Sequence, residues 1–276
     1  MRHITLFNKL TLVVLLVLSL GCKGSVVNNR DVVGSTASEV ENNTLDAGDL
    51  SYEEVMIPAR LTDRSEQILK RKGYVTSYNK DLRQPNWVAW HLTAAHADGP
   101  VSRKGIRFEE DTEVPSPRAT HADYTRSGFD RGHMCPAGDN QWSAAAMEQS
   151  FLMTNICPQH PNLNRGDWNE MENACRDWAR DYGDIVIVAG PIFYKQNHKK
   201  IGKNKVVVPE AFFKVVLTLS GEPQAVGFIY KNNKGNLPKD SYINSIDEVE
   251  RITGIDFFPQ LPDELEDELE KQTKLL

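Results

Sequence analysis

The chain has 276 residues, a formal net charge of −6 at pH 7 and four cysteines. This charge excludes a protein that binds nucleic acid through a strongly basic field, although the excess acid lies in segments 23–60 and 263–276 and leaves a nearly neutral domain between them. The sequence contains no Cys-x-x-Cys pair, which argues against a structural zinc site.

The first segment has the pattern of an export signal. Basic residues precede an apolar run, Leu10 to Leu20, that is too short for a permanent membrane span. Ser19-Leu-Gly-Cys22 is similar to a bacterial lipobox, so we expect a signal peptide over residues 1–22 and acylation of Cys22. An ordinary secreted protein cleaved nearby is the alternative. Acylation of Cys22 would make the chain an extracytoplasmic protein anchored to a bacterial membrane, in the periplasm or at the cell surface.

The remaining chain divides into three parts. Residues 23–51 are polar and contain no aromatic side chain, so they are expected to form a flexible tether. Residues 52–262 are sufficient for one domain with a full core, and residues 263–276 form an acidic C-terminal tail.

Strand and helix patterns alternate along this domain. Strands are predicted at 86–92, 185–188, 205–208, 212–217 and 225–230, from alternation or from β-branched runs. Helices are predicted at 144–151 behind Ser143, from 164 or 165 to 182 before Gly183, and from a capping box at Ser245 to Thr253. The domain is therefore expected to be α+β, with a central, largely antiparallel sheet flanked by helices.

Two segments, 127–136 and 154–176, hold the residues that can support phosphodiester hydrolysis. This reaction needs a base for the attacking water and a cation near the developing negative charge. His133 is suited to proton abstraction near neutral pH. Mg²⁺ keeps most of its waters, so the carbonyl oxygen of Asn164 at a helix start is a sufficient anchor.

Four residues at successive steps of four form one stripe on the predicted helix: Asn164, Trp168, Glu172 and Arg176. Glu172 could accept hydrogen bonds from metal-bound waters, and Arg176 could pair with Glu172 or with a phosphate oxygen. The alternative is structural: Asn164 would cap the helix, and Glu172 with Arg176 would form an ordinary surface pair.

These residues resemble the DNA/RNA non-specific endonuclease family, the ββα-metal nucleases. Asp130-Arg-Gly-His133 matches its DRGH motif, and Asn164 with Glu172 matches its metal helix. The resemblance begins near Gly73, includes Gln84-Pro-Asn-Trp-Val-Ala-Trp90, and continues to Pro259. It implies the ββα-metal nuclease fold and a metal-dependent endonuclease that cuts DNA and RNA to products with 5′-phosphates.

The resemblance also implies roles for individual residues. His133 would be the general base, and Asn164 would be the only direct protein ligand of Mg²⁺, with Mn²⁺ as a second candidate metal. Glu172 would hold the metal-bound waters. Asn155 would hydrogen-bond around the scissile phosphate, and Arg176 would stabilise transition-state charge. Arg103 is the best candidate for a further phosphate contact, and Arg107 competes with it.

Other residues near the motifs have two interpretations each. Arg131 could contact phosphate or form an internal ion pair, and the ion pair is favoured. Asp130 is expected to be a structural hydrogen-bond partner. Cys135 and Cys157 could form a disulfide or remain two buried thiols.

The preferred function is an extracytoplasmic sugar-non-specific endonuclease with DNA and RNA as substrates. A catalytically silent nucleic-acid-binding lipoprotein and a phosphodiesterase for small nucleotides are the alternatives.

Overall fold

The computed structural model describes residues 50–274 and residue 276. The predicted signal peptide, Cys22 and the tether up to residue 49 lie outside the described residues. From residue 50 onward the chain belongs to one compact unit. Within the described part, every helix is too short or too polar to span a bilayer.

A seven-stranded sheet forms the centre of the fold, and each neighbouring pair of its strands is antiparallel. In spatial order the strands are β1 (Gln67–Lys70), β2 (Val75–Asn79), β3 (Gln84–Thr93), β6 (Asp184–Ile192), β9 (Ala211–Thr218), β10 (Gln224–Lys231) and β11 (Ile243–Asn244). Two small sheets pair β4 (Asp130–His133) with β5 (Ile156–Gln159) and β7 (Lys200–Ile201) with β8 (Val206–Val207). The prediction of an α+β domain with a largely antiparallel central sheet is confirmed.

Helices cover both faces of this sheet. They are α1 (Tyr52–Val55), α2 (His121–Tyr124), α3 (Ala144–Ser150), α4 (Pro161–Arg165), α5 (Asp167–Tyr182), α6 (Ile246–Thr253) and α7 (Asp263–Leu269). On β6, Ile185 and Ile187 pack in the cluster that includes α5, whereas Val186 and Val188 pack in the cluster that includes α6 and α7. Alternate side chains of a strand point to opposite faces, so β6 needs apolar residues at every position.

The predicted strands in the main sheet lie within β3, β6, β9 and β10. The strand predicted at 205–208 is shorter than expected, because only Val206 and Val207 pair, and they pair with β7 in a separate hairpin.

One long excursion from the sheet carries the candidate site residues of both motif segments. The chain leaves β3 at Thr93 and returns in β6 at Asp184, and these two residues are paired across neighbouring strands. Segment 94–183 contains β4, β5 and α2 to α5. The central sheet therefore acts as the platform on which this segment is built.

The helix predicted from residue 164 or 165 begins later, at Asp167. Gly166 separates α4 from α5 with φ −105° and ψ −112°, and a Cβ there would lie 2.7 Å from the carbonyl oxygen of Asn162. The chain therefore bends at Gly166, and Asn164 belongs to the preceding helix α4. Of the four residues in the predicted stripe, Trp168, Glu172 and Arg176 share helix α5, whereas Asn164 does not.

The C-terminal helices follow the capping prediction. Ser245 accepts a hydrogen bond from the Glu248 amide at the start of α6, and Gly254 ends the helix with φ +67°. The acidic tail predicted at 263–276 folds in part as α7, which packs on the core through buried Leu269.

Candidate active site

The Asp-Arg-Gly-His motif forms strand β4, which pairs with β5. Gly132 lies opposite Cys157, and His133 lies opposite Ile156. A Cβ at Gly132 would lie 2.2 Å from Oε1 of Gln159. Glycine is therefore required for β4 to approach β5 closely, and this approach fixes the position of His133 at the end of the strand.

His133 is held among apolar rings and is only 9% exposed. Its ring centroid is 5.3 Å from that of Phe108 and 5.0 Å from that of Phe151. Its Nε2 atom is buried and bonded to no described residue. Burial, and to a lesser extent the charge of Arg103, lowers the pKa of His133 to about 3. The imidazole is therefore neutral at physiological pH.

A hydrogen bond fixes α5 relative to β4. The indole nitrogen Nε1 of Trp168 donates to the backbone carbonyl of His133 at 3.2 Å. Trp168 is fully buried, so this contact connects the start of α5 rigidly to the strand that presents the imidazole. The contact sets the distance between His133 and the side chains one and two turns along α5.

A polar cavity of about 210 Å³ brings together four of the predicted site residues. Arg103, His133, Glu172 and Arg176 all line it. The Arg103 guanidinium carbon lies 5.3 Å from the ring centroid of Phe151, which also contacts His133. Arg107 instead lines a separate cavity. The structure therefore favours Arg103 over Arg107 as the arginine beside His133.

Arg176 forms a buried ion pair, and its partner is Asp139 in the segment after β4. Nη1 of Arg176 donates to Oδ1 of Asp139 at 2.7 Å, and Nη2 donates to Asn173 at 2.6 Å. Oδ2 of Asp139 accepts a further hydrogen bond from Trp90 at 3.0 Å. The alternative prediction of a surface ion pair between Glu172 and Arg176 is wrong, because Arg176 pairs with Asp139 instead.

Asn164 and Asp130 are hydrogen-bonded to each other. Nδ2 of Asn164 donates to Oδ2 of Asp130 at 3.2 Å, and Arg165 donates to both carboxylate oxygens of Asp130 at 2.8 Å. The side-chain oxygen Oδ1 of Asn164 accepts no hydrogen bond from the described residues. Asn164 does not line the cavity of His133.

Comparison with known proteins identifies the family. The sequence model described as "DNA/RNA non-specific endonuclease" matches residues 51–264. The chain belongs to this family.

Several nucleases of the family are similar to the chain along most of its length. Mitochondrial nuclease EXOG of Xenopus laevis is 36% identical over 207 residues, which are 68% of this chain and 57% of EXOG. Mitochondrial endonuclease G of Homo sapiens is 33% identical over 209 residues, which are 71% of this chain and 70% of that protein. Nuclease C1 of Cunninghamella echinulata var. echinulata is 36% identical over 215 residues, 71% of this chain and 84% of that nuclease. The matched region thus spans less than two thirds of the length of EXOG, but more than two thirds of the lengths of endonuclease G and nuclease C1.

A solved structure supports the same fold. The crystal structure of an EndoG/EndoGI complex superposes with a TM-score of 0.71 and 27% identity, over 78% of this chain and 94% of the solved chain. The predicted membership of the non-specific endonuclease family is confirmed by both comparisons.

Members of the DNA/RNA non-specific endonuclease family are metal-dependent, and the residues here fit a divalent cation. Glu172 has no ion-pair partner in the described part of the chain, and burial raises its pKa to about 7. The Lys214 charge is the largest influence opposing this rise. The partly buried carboxylate of Glu172 and the side-chain oxygen of Asn164 are oxygen donors of the kind that Mg²⁺ and related ions bind.

The hydrogen bonds of Asn155 do not support the role that the resemblance implied. It is fully buried, its Oδ1 accepts from the Cys135 amide at 2.9 Å, and its Nδ2 donates to the carbonyl oxygens of Cys135 and Ser150 at 2.8 Å. No polar atom of its amide is left for a phosphate. Asn155 instead fixes the backbone two residues beyond His133.

Arg131 does not form the internal ion pair that we favoured. Its guanidinium donates to the backbone carbonyl of His121 at 2.9 Å and lies 5.7–5.8 Å from the ring centroids of Tyr124 and Phe108. No described carboxylate lies within ion-pair distance of it. The phosphate contact therefore remains the open alternative for this residue.

The cysteines beside the motifs are thiols. Cys135 and Cys157 are both free and fully buried, and burial raises the pKa of each. The disulfide that the sequence allowed is absent from the described residues, and the interpretation as small apolar side chains agrees with the structure.

Sequence reasoning missed Lys214 and Asp139. Lys214 is fully buried in β9, and its Nζ lies 4.5 Å from the ring centroid of Trp168 and 5.0 Å from that of Trp90. A lysine within the apolar run Phe212 to Leu217 was an available signal, because a charged residue in a strand buried on both faces needs a partner. Asp139 gave no comparable signal, since its neighbours are polar.

Proposed function

We propose that the chain is a Mg²⁺-dependent endonuclease that hydrolyses DNA and RNA with little sequence preference and leaves 5′-phosphates, with Mn²⁺ as a second usable metal. The observation that carries the proposal is the placement of a neutral His133 in one cavity with Glu172, Arg103 and Arg176. Family membership and the named nuclease relatives support the reaction class.

His133 would remove the proton from the attacking water. Its burial keeps the imidazole unprotonated, so the nitrogen lone pair is available at neutral pH. The position of the base is determined by the pairing of β4 with β5 and by the indole of Trp168. This rigidity supports catalysis, because a base must be within hydrogen-bond reach of the proton that it abstracts.

Arg103 and Arg176 would bind the phosphate in the same cavity. Asp139 and Asn173 hold the guanidinium of Arg176, so Arg176 needs little reorganisation when charge develops on the phosphate. Contacts from these guanidinium groups to phosphate oxygens would carry no sequence information, which supports cleavage with little sequence preference.

Asn164 would hold the metal through its carbonyl oxygen, and Glu172 would accept hydrogen bonds from the waters of that ion. The bound cation would polarise the phosphate and neutralise charge on the leaving oxygen. Asp130 would orient the Asn164 amide through the bond that it accepts from Nδ2. A cation nearby would also favour the ionised form of Glu172.

The test is plasmid nicking by the purified chain with Mg²⁺, with Mn²⁺ and with chelator, beside His133→Ala. We expect metal-dependent cutting that falls by at least on the order of 10²-fold in His133→Ala, since positioned acid–base groups contribute about that much. His96→Ala is the matched control, because His96 stacks on Trp142 and does not line the cavity.

The substrate range decides between the proposal and its alternatives. Parallel digestion of RNA, with end-group analysis of the products, tests sugar non-specificity and the 5′-phosphates. Binding of DNA without any cutting would indicate the silent binder. Cleavage of dinucleotides but not of plasmid would indicate the small-nucleotide phosphodiesterase.

We also propose that the chain is exported and acylated at Cys22, with residues 23–51 as a tether and residues 52–262 as the endonuclease domain. The support is the sequence pattern alone. Labelling with radioactive palmitate in a bacterial host should mark the native chain and not Cys22→Ser. Label that persists in Cys22→Ser would contradict the anchor.

A further inference from the structure

Three carboxylates converge where α6 meets the end of α7. Asp247 and Glu250 belong to α6, and Glu270 directly follows α7. One oxygen of each lies within 4.8 Å of the others. The backbone amide of Asp247 also donates to the carbonyl oxygen of Glu270 at 3.2 Å, which holds the two elements at this spacing.

One of these carboxylates is buried without a partner. Glu270 is only 8% exposed, and its Oε1 atom is inaccessible and accepts no hydrogen bond from the described residues. A buried carboxylate oxygen that lacks a donor is costly, so its position in the cluster requires a neutralising group.

The described basic residues nearby do not provide this group. Arg251 on α6 pairs with Glu248 at 2.7 Å, and Lys271 after α7 pairs with Asp267 at 3.6 Å. Asp247, Glu250 and Glu270 form no ion pair with any described lysine, arginine or histidine. The three oxygens therefore face one another without a protein cation between them.

We propose that Asp247, Glu250 and Glu270 bind a Ca²⁺ ion that fixes α7 to α6. Ca²⁺ accepts six to eight oxygens in flexible geometry, so three carboxylates from two helices with waters suit it better than Mg²⁺, which usually takes one or two carboxylates. The family match ends at residue 264, so Glu270 lies beyond the matched residues, whereas Asp247 and Glu250 lie within them. The proposal is independent of the endonuclease activity.

The experiment is thermal unfolding and calorimetric titration of the full chain with Ca²⁺ or Mg²⁺ after chelation. Asn164→Ala is introduced into every sample, so that the proposed active-site metal does not contribute. At ten times its dissociation constant, Ca²⁺ should raise Tm by roughly 3–6 °C. We expect a smaller shift with Mg²⁺ and a stoichiometry of one Ca²⁺ per chain.

Glu270→Gln removes the buried charge at constant size and should abolish both the heat of binding and the Tm shift. Glu268→Gln is the matched control, because Glu268 is an exposed acid of the same helix outside the cluster. Asp247→Asn, at an exposed position, gives a second variant that is expected to fold and to bind Ca²⁺ more weakly.

The proposal is overturned if Ca²⁺ leaves Tm unchanged, or if Glu270→Gln keeps the full shift. The first result would mean that protons neutralise the cluster.

Discussion

Burial determines the charge of His133. Its contacts with Phe108 and Phe151 lower its pKa to about 3, far below the ordinary value near 6.5. The unfolded chain takes up a proton near pH 6.5 that the folded chain does not, so His133 reduces stability as pH falls from there. The same burial that costs stability in acid keeps the imidazole unprotonated at neutral pH.

We therefore predict that His133 stays neutral down to about pH 4. Nuclear magnetic resonance of ¹⁵N-histidine-labelled, metal-free protein should show no titration of His133 between pH 8 and 5, with His133→Gln assigning the signal. A midpoint near 6.5 would show that water reaches the ring. Phe151→Ala should raise the pKa of His133, since it opens one side of the ring to solvent.

Burial also affects the charge of Glu172, but here it favours the protonated form, which is the neutral one. Burial raises its pKa to about 7, against the charge of Lys214. A carboxyl whose folded pKa is raised contributes stability below its unfolded pKa and loses that contribution as pH rises through the folded value. Above pH 7 and without metal, the ionised Glu172 should therefore destabilise the fold.

Glu172→Gln should raise the free energy of unfolding at pH 8 in chelator by up to about 3 kcal/mol, since one pKa unit corresponds to about 1.4 kcal/mol. The same variant should lose cleavage. Denaturant unfolding at pH 5 and pH 8 measures the difference, which should be largest at pH 8. Glu170→Gln, an exposed acid on the same helix, should change neither quantity, and a destabilised Glu172→Gln would refute the prediction.

At the scale of elements, Asn155 joins the segment that follows β4 to the end of α3. It bonds to both backbone groups of Cys135 and to the carbonyl of Ser150. Asn155→Ala leaves these buried groups without partners, which should cost about 2–4 kcal/mol and lower Tm by roughly 6–12 °C. We expect kcat to fall because His133 moves, while KM changes little because Asn155 does not reach the substrate.

Differential scanning calorimetry and steady-state kinetics test this prediction together. Asn197→Ala, at an exposed position, is the control and should retain wild-type Tm. A large rise in KM with unchanged Tm would instead support the phosphate contact that the family resemblance implied.

The sequence predicted long elements well and local breaks poorly. β6 has a continuous β-branched run, and β9 has an apolar run that only Lys214 interrupts, so both were recognised as strands. α6 was recognised from its capping serine and its terminal glycine. The bend at Gly166 had no such signal, because one glycine in a polar helical pattern is compatible with both continuation and a break. Partners distant in sequence, such as Asp139 for Arg176, depend on packing that no local pattern shows.

At the scale of the whole molecule, the nearly neutral domain predicts weak dependence of binding on salt. As proposed, Arg103 and Arg176 would provide about 2 phosphate contacts, which correspond to a slope near −2 in log affinity against log salt for duplex DNA. Binding of a labelled duplex to His133→Ala between 50 and 200 mM salt should show this slope. Arg103→Ala should reduce it by about 1, whereas Arg107→Ala should not, because Arg107 lies in another cavity. A slope much steeper than this would require a wider basic surface.

The neighbouring positions of β3 and β6 have a consequence for the order of folding. Their pairing closes a loop of segment 94–183, at an entropic cost on the order of 4 kcal/mol, whereas β9 and β10 form a local hairpin. Local pairs form before distant ones, so the hairpin should be structured early and the loop late. His133, Glu172 and Arg176 all lie in that loop. The chain would therefore become capable of hydrolysis only at the end of folding, after the sheet that carries this loop has formed.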